Sequence, residues 1–292
     1  MKVLIFGANG MLGHKLIQKL GSTFDVFGTI RGAFETVERF RIFDPKRIVE
    51  FVNAQNTDSI EAAIKATEPD IVINAIGIIK QVPSAKDVIT TLEINSIFPN
   101  RLAEFSAKYG FRLINISTDC VFDGVTGNYS ESDVSNATDL YGKSKNLGEV
   151  IADNCLTLRT SIIGRELDSS HSLIEWFLSN RGGLAKGFVD AIYSGFPTTI
   201  FADIIKNLLI EHNELSGLYH VAADPINKFD LLTLINRYYD ASITITLSHE
   251  LKIDRSLDGS KFREATGFKP LAWEEMIRVM ADDQTPYDSF RK

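Results

Sequence analysis

The chain has 292 residues, of which 44% are hydrophobic, and its 31 basic and 38 acidic side chains give a formal net charge of −7. This acidic balance argues against nucleic acid or an anionic membrane as the main partner, and two cysteines exclude a disulfide framework. The apolar run 71–79 is much shorter than the roughly 18 residues of a membrane span, and Gly7 interrupts the start too early for a secretory signal, so we expect a cytoplasmic protein.

The first half of the chain alternates apolar strands with helices. Lys2–Phe6 is an apolar run of the kind that parallel sheets bury on both faces, and apolar residues then recur at helical spacing up to Gly21. Ser59 is the expected cap of the second helix and Pro99 the expected bend in the third. Further strands are predicted at 25–29, 70–75, 111–117 and 156–163, and further helices at 59–64, 92–109 and 141–152. This alternation predicts an α/β fold with a doubly wound parallel sheet of Rossmann type.

Beyond Gly164 the alternation becomes less regular. The glycine-rich stretch 181–196 is predicted to be a loop or a short hairpin. Helices are predicted at 173–178, 199–210, 228–239 and 273–280, and a strand at 218–221. We therefore predict a Rossmann domain over 1–165, joined by parts of 197–222, and a smaller α/β lobe over 166–292 that binds the substrate across a cleft.

A glycine-rich segment, Gly7-Ala8-Asn9-Gly10-Met11-Leu12-Gly13, follows the first strand and opens the first helix. Glycines at such a turn allow a tight bend, close approach of the backbone to phosphate and close packing of the helix, whose N-terminus attracts anions. The alternative is a strand–helix turn without a ligand, but the position after the first strand favours a dinucleotide. The predicted cofactor contacts here are Gly7, Asn9, Gly10, Met11, Leu12 and Gly13.

The end of the second predicted strand bears on the choice of cofactor. Folds that bind NAD usually carry an acidic residue there for the ribose 2′-hydroxyl. This chain has Phe27-Gly28-Thr29-Ile30-Arg31, without a carboxylate, and Arg31 could pair with a 2′-phosphate. A solvated surface arginine is the alternative. We predict NADP, used as NADPH, in preference to NAD.

Tyr141 and Lys145 lie four residues apart and share one face of a predicted helix. An ammonium about 4 Å from the phenol would lower its pKa from about 10 by roughly three units before burial opposes the shift. Such a phenol can act as a general acid or base. Ser117-Thr118-Asp119 ends a predicted strand, and Thr118 could hydrogen-bond the reacting oxygen, although a cap or turn role is the alternative. This set predicts hydride transfer between a nicotinamide and a carbonyl carbon.

These motifs resemble the extended short-chain dehydrogenase/reductase superfamily and, within it, the dTDP-4-dehydrorhamnose reductase family. The resemblance extends over nearly the whole chain, and its specificity comes from the combination rather than from any one motif. Its further marks are Cys120-Val121-Phe122-Asp123-Gly124, Leu158-Arg159-Thr160, Phe196-Pro197-Thr198-Thr199, Gly217-Leu218-Tyr219-His220 and Arg255-Ser256-Leu257-Asp258.

The resemblance implies an enzyme of deoxysugar and cell-surface polysaccharide biosynthesis. It implies Thr118, Tyr141 and Lys145 as the catalytic triad, with hydride passing from NAD(P)H to C4 of a nucleotide-linked 4-keto-6-deoxyhexose. Tyr141 would protonate the C4 oxygen, and Lys145 would hold the nicotinamide ribose and lower the pKa of the tyrosine. Asn74, Ala75 and Thr160 would line the cofactor cleft.

The substrate pocket is where this chain departs from the family. Cys120 stands where an aromatic residue is common, and the stretches 76–81 and 186–194 also diverge, which leaves the sugar open. Ser117 and Thr118 are predicted substrate contacts. Lys186 and Arg255 are candidates for the nucleotide diphosphate, with surface charge as the alternative.

Other expectations concern metals, histidines and assembly. The five histidines show no metal spacing, so no metal is predicted. His14, on the first helix, is predicted to be solvated or packed rather than chemical. A homodimer is the candidate assembly.

Two other function classes are compatible with these residues. A sugar-nucleotide dehydratase needs a second carboxylate after the threonine, where Cys120 stands, and a thiol with a pKa near about 8.5 replaces it poorly. An epimerase usually keeps NAD tightly bound, whereas the lack of an acidic residue after the second strand suggests an exchangeable NADPH in this chain. The other class is a non-catalytic, NADP-binding regulatory subunit, such as the beta subunit of methionine adenosyltransferase.

Overall fold

The computed structural model describes residues 1–80 and 82–291, so Gln81, the last residue of the divergent 76–81 stretch, and Lys292 lie outside it. Seven parallel strands form the central sheet in the order β11-β6-β5-β4-β1-β2-β3. They are β1 Lys2–Phe6, β2 Asp25–Thr29, β3 Ile48–Val49, β4 Ile71–Asn74, β5 Arg112–Thr118, β6 Cys155–Thr160 and β11 Gly217–His220. This order is the Rossmann arrangement with a seventh strand, which confirms the predicted fold class.

Helices cover both faces of the sheet. Val3 and Ile5 of β1 belong to one apolar cluster with residues of α1 and α8, whereas Leu4 and Phe6 belong to a second cluster with α3 and α5. The helices are α1 Gly13–Leu20, α2 Glu35–Glu38, α3 Thr57–Thr67, α4 Val88–Leu92, α5 Phe98–Tyr109, α6 Leu140–Leu147, α7 Leu173–Ser179, α8 Thr198–Glu211, α9 Lys228–Tyr238, α10 Ser260–Thr266 and α11 Trp273–Ala281. Among the described residues, none of these helices has the length and apolar character that crossing a bilayer requires.

Three small sheets lie beside the central one. They pair β7 Ile162–Ile163 with β10 Phe196–Pro197, β8 Leu184–Phe188 with β13 Thr244–Ser248, and β9 Ala191–Tyr193 with both β12 Ile226–Asn227 and β14 Ile253–Asp254. The prediction of a loop or short hairpin over 181–196 is therefore wrong, because β8 and β9 pair with strands far along the chain. A single predicted strand over 156–163 is also divided, into β6 and β7. The division at residue 165 remains our proposal, and β11 adds a strand from 197–222 to the central sheet.

The structure corrects two helix predictions, one in the residue that caps the helix and one in the start and regularity of the helix. The cap of α3 is Asn56, whose side chain accepts from the backbone N–H groups of Asp58 and Ser59, so Ser59 is not the cap. The predicted helix over 92–109 begins earlier and contains a π-helical turn, Glu93–Ile97, between α4 and α5. Pro99 lies two residues beyond that turn, and its missing N–H removes one helical hydrogen bond, which favours a local change of helix type.

The predicted helix over 141–152 ends at Leu147 because Gly148 lies against another backbone. A Cβ atom at Gly148 would lie 1.9 Å from the carbonyl oxygen of Asn95. The close approach fixes the end of α6 relative to the π-helical turn. It also holds the segment that carries Tyr141 and Lys145 at a defined height above the sheet.

We therefore expect Gly148→Ala to lower the free energy of unfolding by about 1–3 kcal/mol, the usual cost of overpacking. Urea titration followed by circular dichroism measures this change. Gly32→Ala is the control, because a Cβ there meets nothing closer than 3.5 Å, and its stability should stay within about 0.5 kcal/mol of the wild type. Equal stabilities for the two variants would contradict the packing role of Gly148.

Candidate active site

The glycine-rich turn after β1 is shaped by two of its three glycines. Gly7 has a φ of +86°, which favours glycine, and its N–H donates to the Thr29 hydroxyl at 3.3 Å. A Cβ at Gly13 would lie 1.9 Å from the carbonyl oxygen of Gly7, so only glycine lets α1 start this close to β1. Both residues are thus required by the fold of the turn itself.

Gly10 differs from Gly7 and Gly13 because the described residues leave the space beside it open. Among the residues that the structure describes, a Cβ there would have one neighbour within 4 Å, the Gly7 carbonyl oxygen at 3.3 Å. Within the same described residues, no side chain caps the start of α1, and its first turn carries no acidic residue. An open glycine beside an uncapped helix start fits a pyrophosphate, which needs backbone N–H donors and room to approach them.

Arg31 is exposed, two residues beyond the end of β2. The first acidic residue after that strand is Glu35, inside α2. Thr29, the last residue of β2, is buried and is bound to Gly7, so it is occupied in shaping the turn. The position of Arg31 leaves it able to contact a group that projects from the adenosine end of a bound dinucleotide.

The three residues that the family resemblance places in the cofactor cleft lie at the carboxyl edge of the sheet. The buried Asn74 side chain donates to Asn115 at 2.9 Å and accepts from the N–H of Ile76 at 3.1 Å, which gives it a structural role. Ala75 lies against Gly7, whose Cβ would be 3.4 Å from the Ala75 carbonyl group. Thr160, the last residue of β6, pairs in register with Thr118.

Tyr141 reaches the end of β5 because α6 packs unusually close to the turn Asp119–Val121. A Cβ at Gly142 would lie 2.2 Å from the carbonyl oxygen of Cys120, so glycine is required next to the tyrosine. The Tyr141 hydroxyl lies near enough to the Thr118 hydroxyl to affect its own pKa through it. Thr118 Oγ1 in turn donates to Asp119 Oδ1 at 3.1 Å and accepts from the N–H of Cys120 at 3.1 Å. The predicted pair of hydroxyls is therefore brought together.

Lys145 connects this pair to the glycine-rich turn. Its Nζ donates to the Ile116 carbonyl oxygen at 2.7 Å and would lie 3.9 Å from a Cβ at Gly77. A Cβ at Gly7 would in turn lie 2.8 Å from the Ile76 side chain. The 75–77 segment thus lies between the glycine-rich turn and the Tyr141/Lys145 face, at the same edge of the sheet.

The electrostatics correct one prediction. Burial, followed by the nearby Cys120 thiol, raises the pKa of Tyr141 above its ordinary value, whereas we expected Lys145 to lower it. Burial also lowers the pKa of Lys145 to about 8, opposed by Glu149. The expectation named burial as the opposing effect but underestimated it, since the Lys145 ammonium does not offset the cost of charging this phenol.

Ser117 faces away from Thr118, because neighbouring residues on a strand point to opposite faces of a sheet. Its hydroxyl donates to Glu149 at 2.7 Å, and Glu149 also pairs with the buried Arg159 at 2.7 Å. These contacts give Ser117 a structural role. The geometry does not support the substrate contact that we predicted for it.

Two cations from the second half of the chain lie near the site, and the sequence analysis missed one of them. Arg255 donates to the carbonyl oxygen of Phe122 at 2.8 Å and approaches the Cys120 sulfur at 3.9 Å. Lys228, the first residue of α9, has its Nζ 4.2 Å from the centre of the Tyr193 ring. Burial lowers the pKa of Lys228 to about 8, opposed by Asp119 and Cys120. A lysine at a helix start carries no signal that would identify it without the fold.

Lys186 lies elsewhere, on β8. It forms an exposed ion pair with Glu250 at 2.7 Å, so the structure does not bring it to Thr118 and Tyr141. Over residues 1–80 and 82–291, no group of three or more His, Cys, Asp or Glu side chains is arranged to hold a metal ion.

The sequence analysis also missed Asn95, which lies in the π-helical turn and contacts the helix that carries Tyr141 and Lys145. Its buried side chain accepts from the N–H of Ile78 at 2.8 Å and donates to the Ser144 hydroxyl at 3.1 Å. It thereby joins the segment after β4 to α6 directly beside Lys145. An asparagine inside an apolar helical pattern is a signal that could have indicated this role.

The whole site lies inside a match to a known family. Residues 1–285 match the family described as the RmlD substrate binding domain. The chain belongs to this family. It is 22% identical to dTDP-4-dehydrorhamnose reductase of Aggregatibacter actinomycetemcomitans over 306 residues, which cover 95% of this chain and 97% of that protein. It is 26% identical to methionine adenosyltransferase 2 subunit beta of Danio rerio over 247 residues, which cover 80% of this chain and 72% of that protein.

A solved structure gives the same result for the fold. The dTDP-4-dehydrorhamnose reductase of Bacillus anthracis str. Ames, in complex with NADP, superposes with a TM-score of 0.78 at 22% identity. The comparison covers 96% of this chain and 98% of that one. This likeness shows the fold, and the match over residues 1–285 confirms the family that the motifs resemble.

Gly10 and Gly13 have different surroundings, so substituting each of them tests whether this turn binds the dinucleotide. We expect Gly10→Ala to fold with nearly wild-type stability but to weaken dinucleotide binding at least about tenfold, because a methyl group would occupy the space at the helix start. Isothermal titration calorimetry with NADPH measures the affinity, and thermal unfolding measures the stability.

Gly13→Ala is the comparison, because its Cβ would collide with backbone and should reduce stability itself. Full NADPH affinity in Gly10→Ala would show that this turn does not hold the phosphates.

Proposed function

We propose that the protein is an NADPH-dependent reductase of the C4 keto group of a nucleotide-linked 4-keto-6-deoxy sugar. The observation that carries this proposal is the Tyr141–Thr118 hydroxyl pair at the carboxyl edge of the sheet, with the 75–77 segment between it and the glycine-rich turn. Ligands of open α/β sheets bind at this edge. The family match supports the substrate class, since the relative in Aggregatibacter actinomycetemcomitans is named dTDP-4-dehydrorhamnose reductase.

The protonation of Tyr141 suits reduction. A phenol whose pKa is raised by burial keeps its proton at neutral pH, and reduction of a carbonyl needs a donor for the developing alkoxide. NADPH, when bound, supplies the hydride. Tyr141 Oη gives its proton to the C4 oxygen, and Thr118 Oγ1, which now donates to Asp119, turns its hydrogen toward the same oxygen.

Lys145 has two tasks in this proposal. Its ammonium lies beside the 75–77 segment, where it can hydrogen-bond the hydroxyls of the nicotinamide ribose. Its positive charge also stabilises the tyrosinate that forms once Tyr141 has given up its proton. Both tasks need the charged form, and a pKa of about 8 keeps most of the amine protonated at neutral pH.

The substrate diphosphate is assigned to the cations of the smaller lobe. Arg255 and Lys228 both approach Cys120, one residue beyond the Thr118–Asp119 pair. Lys186 is not part of this assignment, because its ammonium is already paired with Glu250.

A predicted homodimer and a cytoplasmic location also belong to the proposal. Sedimentation equilibrium tests the homodimer, and fractionation of cells tests the location.

The alternatives are weaker on specific grounds. A dehydratase would need a base at Cys120, but burial and Asp119 raise the pKa of this thiol to about 12, so it stays neutral. The likeness to the methionine adenosyltransferase subunit favours a regulatory role as the second candidate. A stoichiometric partner in a pull-down, without turnover of any keto sugar, would support that candidate.

The direct test is net oxidation of NADPH with a panel of dTDP-, UDP- and GDP-linked 4-keto-6-deoxy sugars. We expect stoichiometric NADPH consumption with at least one of them. Interconversion of sugars without net consumption would indicate an epimerase instead.

Tyr141→Phe removes the proposed proton donor and keeps the aromatic ring. We expect kcat for reduction to fall by about a hundredfold or more, while NADPH affinity and stability stay close to wild type. Stopped-flow absorbance at the NADPH band measures the rate. Tyr238→Phe is the control, because that hydroxyl contacts Glu274 at the surface and its loss should leave kcat unchanged. Turnover near the wild-type rate in Tyr141→Phe would remove this residue from the mechanism.

Arg31→Asp tests the cofactor preference. The wild type should have a lower KM for NADPH than for NADH, and the substitution should reverse the order, because a carboxylate repels a 2′-phosphate and accepts from a 2′-hydroxyl. Arg278→Asp makes the same charge change on the exposed face of α11 and should not alter the ratio of the two constants. Equal use of both cofactors by the wild type would contradict the preference.

A further inference from the structure

The segment 283–291 packs against the start of α1, on the protein side of the glycine-rich turn. Tyr287 of this segment and His14 of α1 are both buried, and their rings meet edge to face at 5.7 Å. Tyr287 also belongs to one apolar cluster with Ala8, inside the glycine-rich turn, and Ile30, just before Arg31. A part of the chain far from the turn in sequence thus supports it from behind.

The hydrogen bonds of His14 fix which ring nitrogen carries the proton. Nδ1 lies 2.8 Å from the carbonyl oxygen of Gly10, and Nε2 lies 2.8 Å from the Tyr287 hydroxyl. A carbonyl oxygen can only accept, so Nδ1 must be the N–H donor. In a neutral ring Nε2 is then the acceptor, and Tyr287 is the donor that satisfies it.

The surroundings favour this neutral form. Burial, with the neighbouring Lys15 ammonium, lowers the pKa of His14 to about 4. The Tyr287 hydroxyl can also donate to Asp283 Oδ2, at 3.0 Å, but that carboxylate accepts from Lys15 and the Thr285 hydroxyl as well, whereas among the described residues Nε2 of His14 has Tyr287 as its one partner. Donation from Tyr287 to His14 is therefore the arrangement that leaves the fewest unmatched partners at neutral pH.

The carbonyl of Gly10 matters because it belongs to the turn that faces the proposed phosphate site. It accepts from His14 twice, from the backbone N–H at 3.2 Å and from the ring. In a trans peptide the C=O and the following N–H point in opposite directions. Holding the Gly10 oxygen toward His14 therefore aims the N–H of Met11 away from the protein interior.

We propose that Tyr287 is a positioning residue for the dinucleotide: it fixes the Nδ1–H tautomer of His14, which holds the Gly10–Met11 peptide in the orientation that binds phosphate. This inference rests on the proposed function, because it takes the glycine-rich turn as the cofactor site. Ion pairing of Asp288 with Arg165 and the edge-to-face contact of Phe290 with Phe40 at 5.0 Å keep the segment in place.

The test compares Tyr287→Phe with Tyr239→Phe. The second variant removes another largely buried hydroxyl near this segment, one that donates to the Met280 carbonyl oxygen and does not contact His14. Without the Tyr287 donor, the Nε2–H tautomer becomes accessible and turns a lone pair toward the Gly10 oxygen. We expect the Kd for NADPH to rise about five- to tenfold in Tyr287→Phe, the loss of roughly one hydrogen bond, and to change less than about twofold in Tyr239→Phe.

Two further readouts separate positioning from a general loss of stability. In steady-state turnover the change should appear in KM for NADPH, with kcat at saturating NADPH unchanged. The ¹⁵N chemical shifts of the His14 ring should indicate an Nδ1–H imidazole in the wild type and a mixture of tautomers in Tyr287→Phe. The wild-type spectrum needs no substitution and decides the tautomer even if a variant fails to fold.

The outcomes distinguish this inference from the function on which it rests. An Nε2–H ring in the wild type, or equal NADPH affinity in wild type and Tyr287→Phe, would overturn the positioning role while leaving the reductase proposal intact. Failure of the wild type to bind either NADPH or NADH would contradict the proposed function itself.

Discussion

The close contact between α6 and the turn Asp119–Val121 is the constraint on which the rest of the site depends. Gly142 allows it, since any side chain there would run into the backbone of Cys120. Without this contact Tyr141 would stand away from Thr118, and Lys145 would lose its position beside the 75–77 segment. The end of α6 is fixed in the same way by Gly148 against Asn95. Two glycines thus place one short helix in register with a sheet edge.

Burial then decides the protonation of the groups that this packing collects. It keeps the phenol of Tyr141 and the thiol of Cys120 neutral, and it brings Lys145 and Lys228 close to losing a proton. A neutral acid beside buried cations is suited to protonating an oxygen that becomes an alkoxide. The same burial makes a base or a nucleophile at Cys120 inactive at neutral pH. The chemistry that the site favours therefore follows from desolvation more than from any single ion pair.

The sequence predicted what local patterns encode and missed what depends on distant contacts. Apolar runs ending in glycine indicated β1 and the turn after it, and the four-residue spacing placed Tyr141 and Lys145 on one face. Strand alternation already implied that Ser117 and Thr118 point to opposite faces, so the bond of Ser117 to Glu149 on the other face could have been anticipated. The strands within 181–196 pair with partners some 35 to 60 residues away, and the sign of the Tyr141 pKa shift depends on burial; neither has a local signal.

We propose that hydride passes from bound NADPH to a carbonyl carbon that lies next to Tyr141. The most direct measurement uses NADPH with deuterium in both hydrogen positions at C4 of the nicotinamide, a nucleotide-linked 4-keto-6-deoxy sugar, and mass spectrometry with NMR of the product. Hydride transfer as described places one deuterium at C4 of the sugar and none at its other carbons. A product without deuterium at C4, or one labelled only from deuterated solvent at a carbon beside the carbonyl, would contradict it.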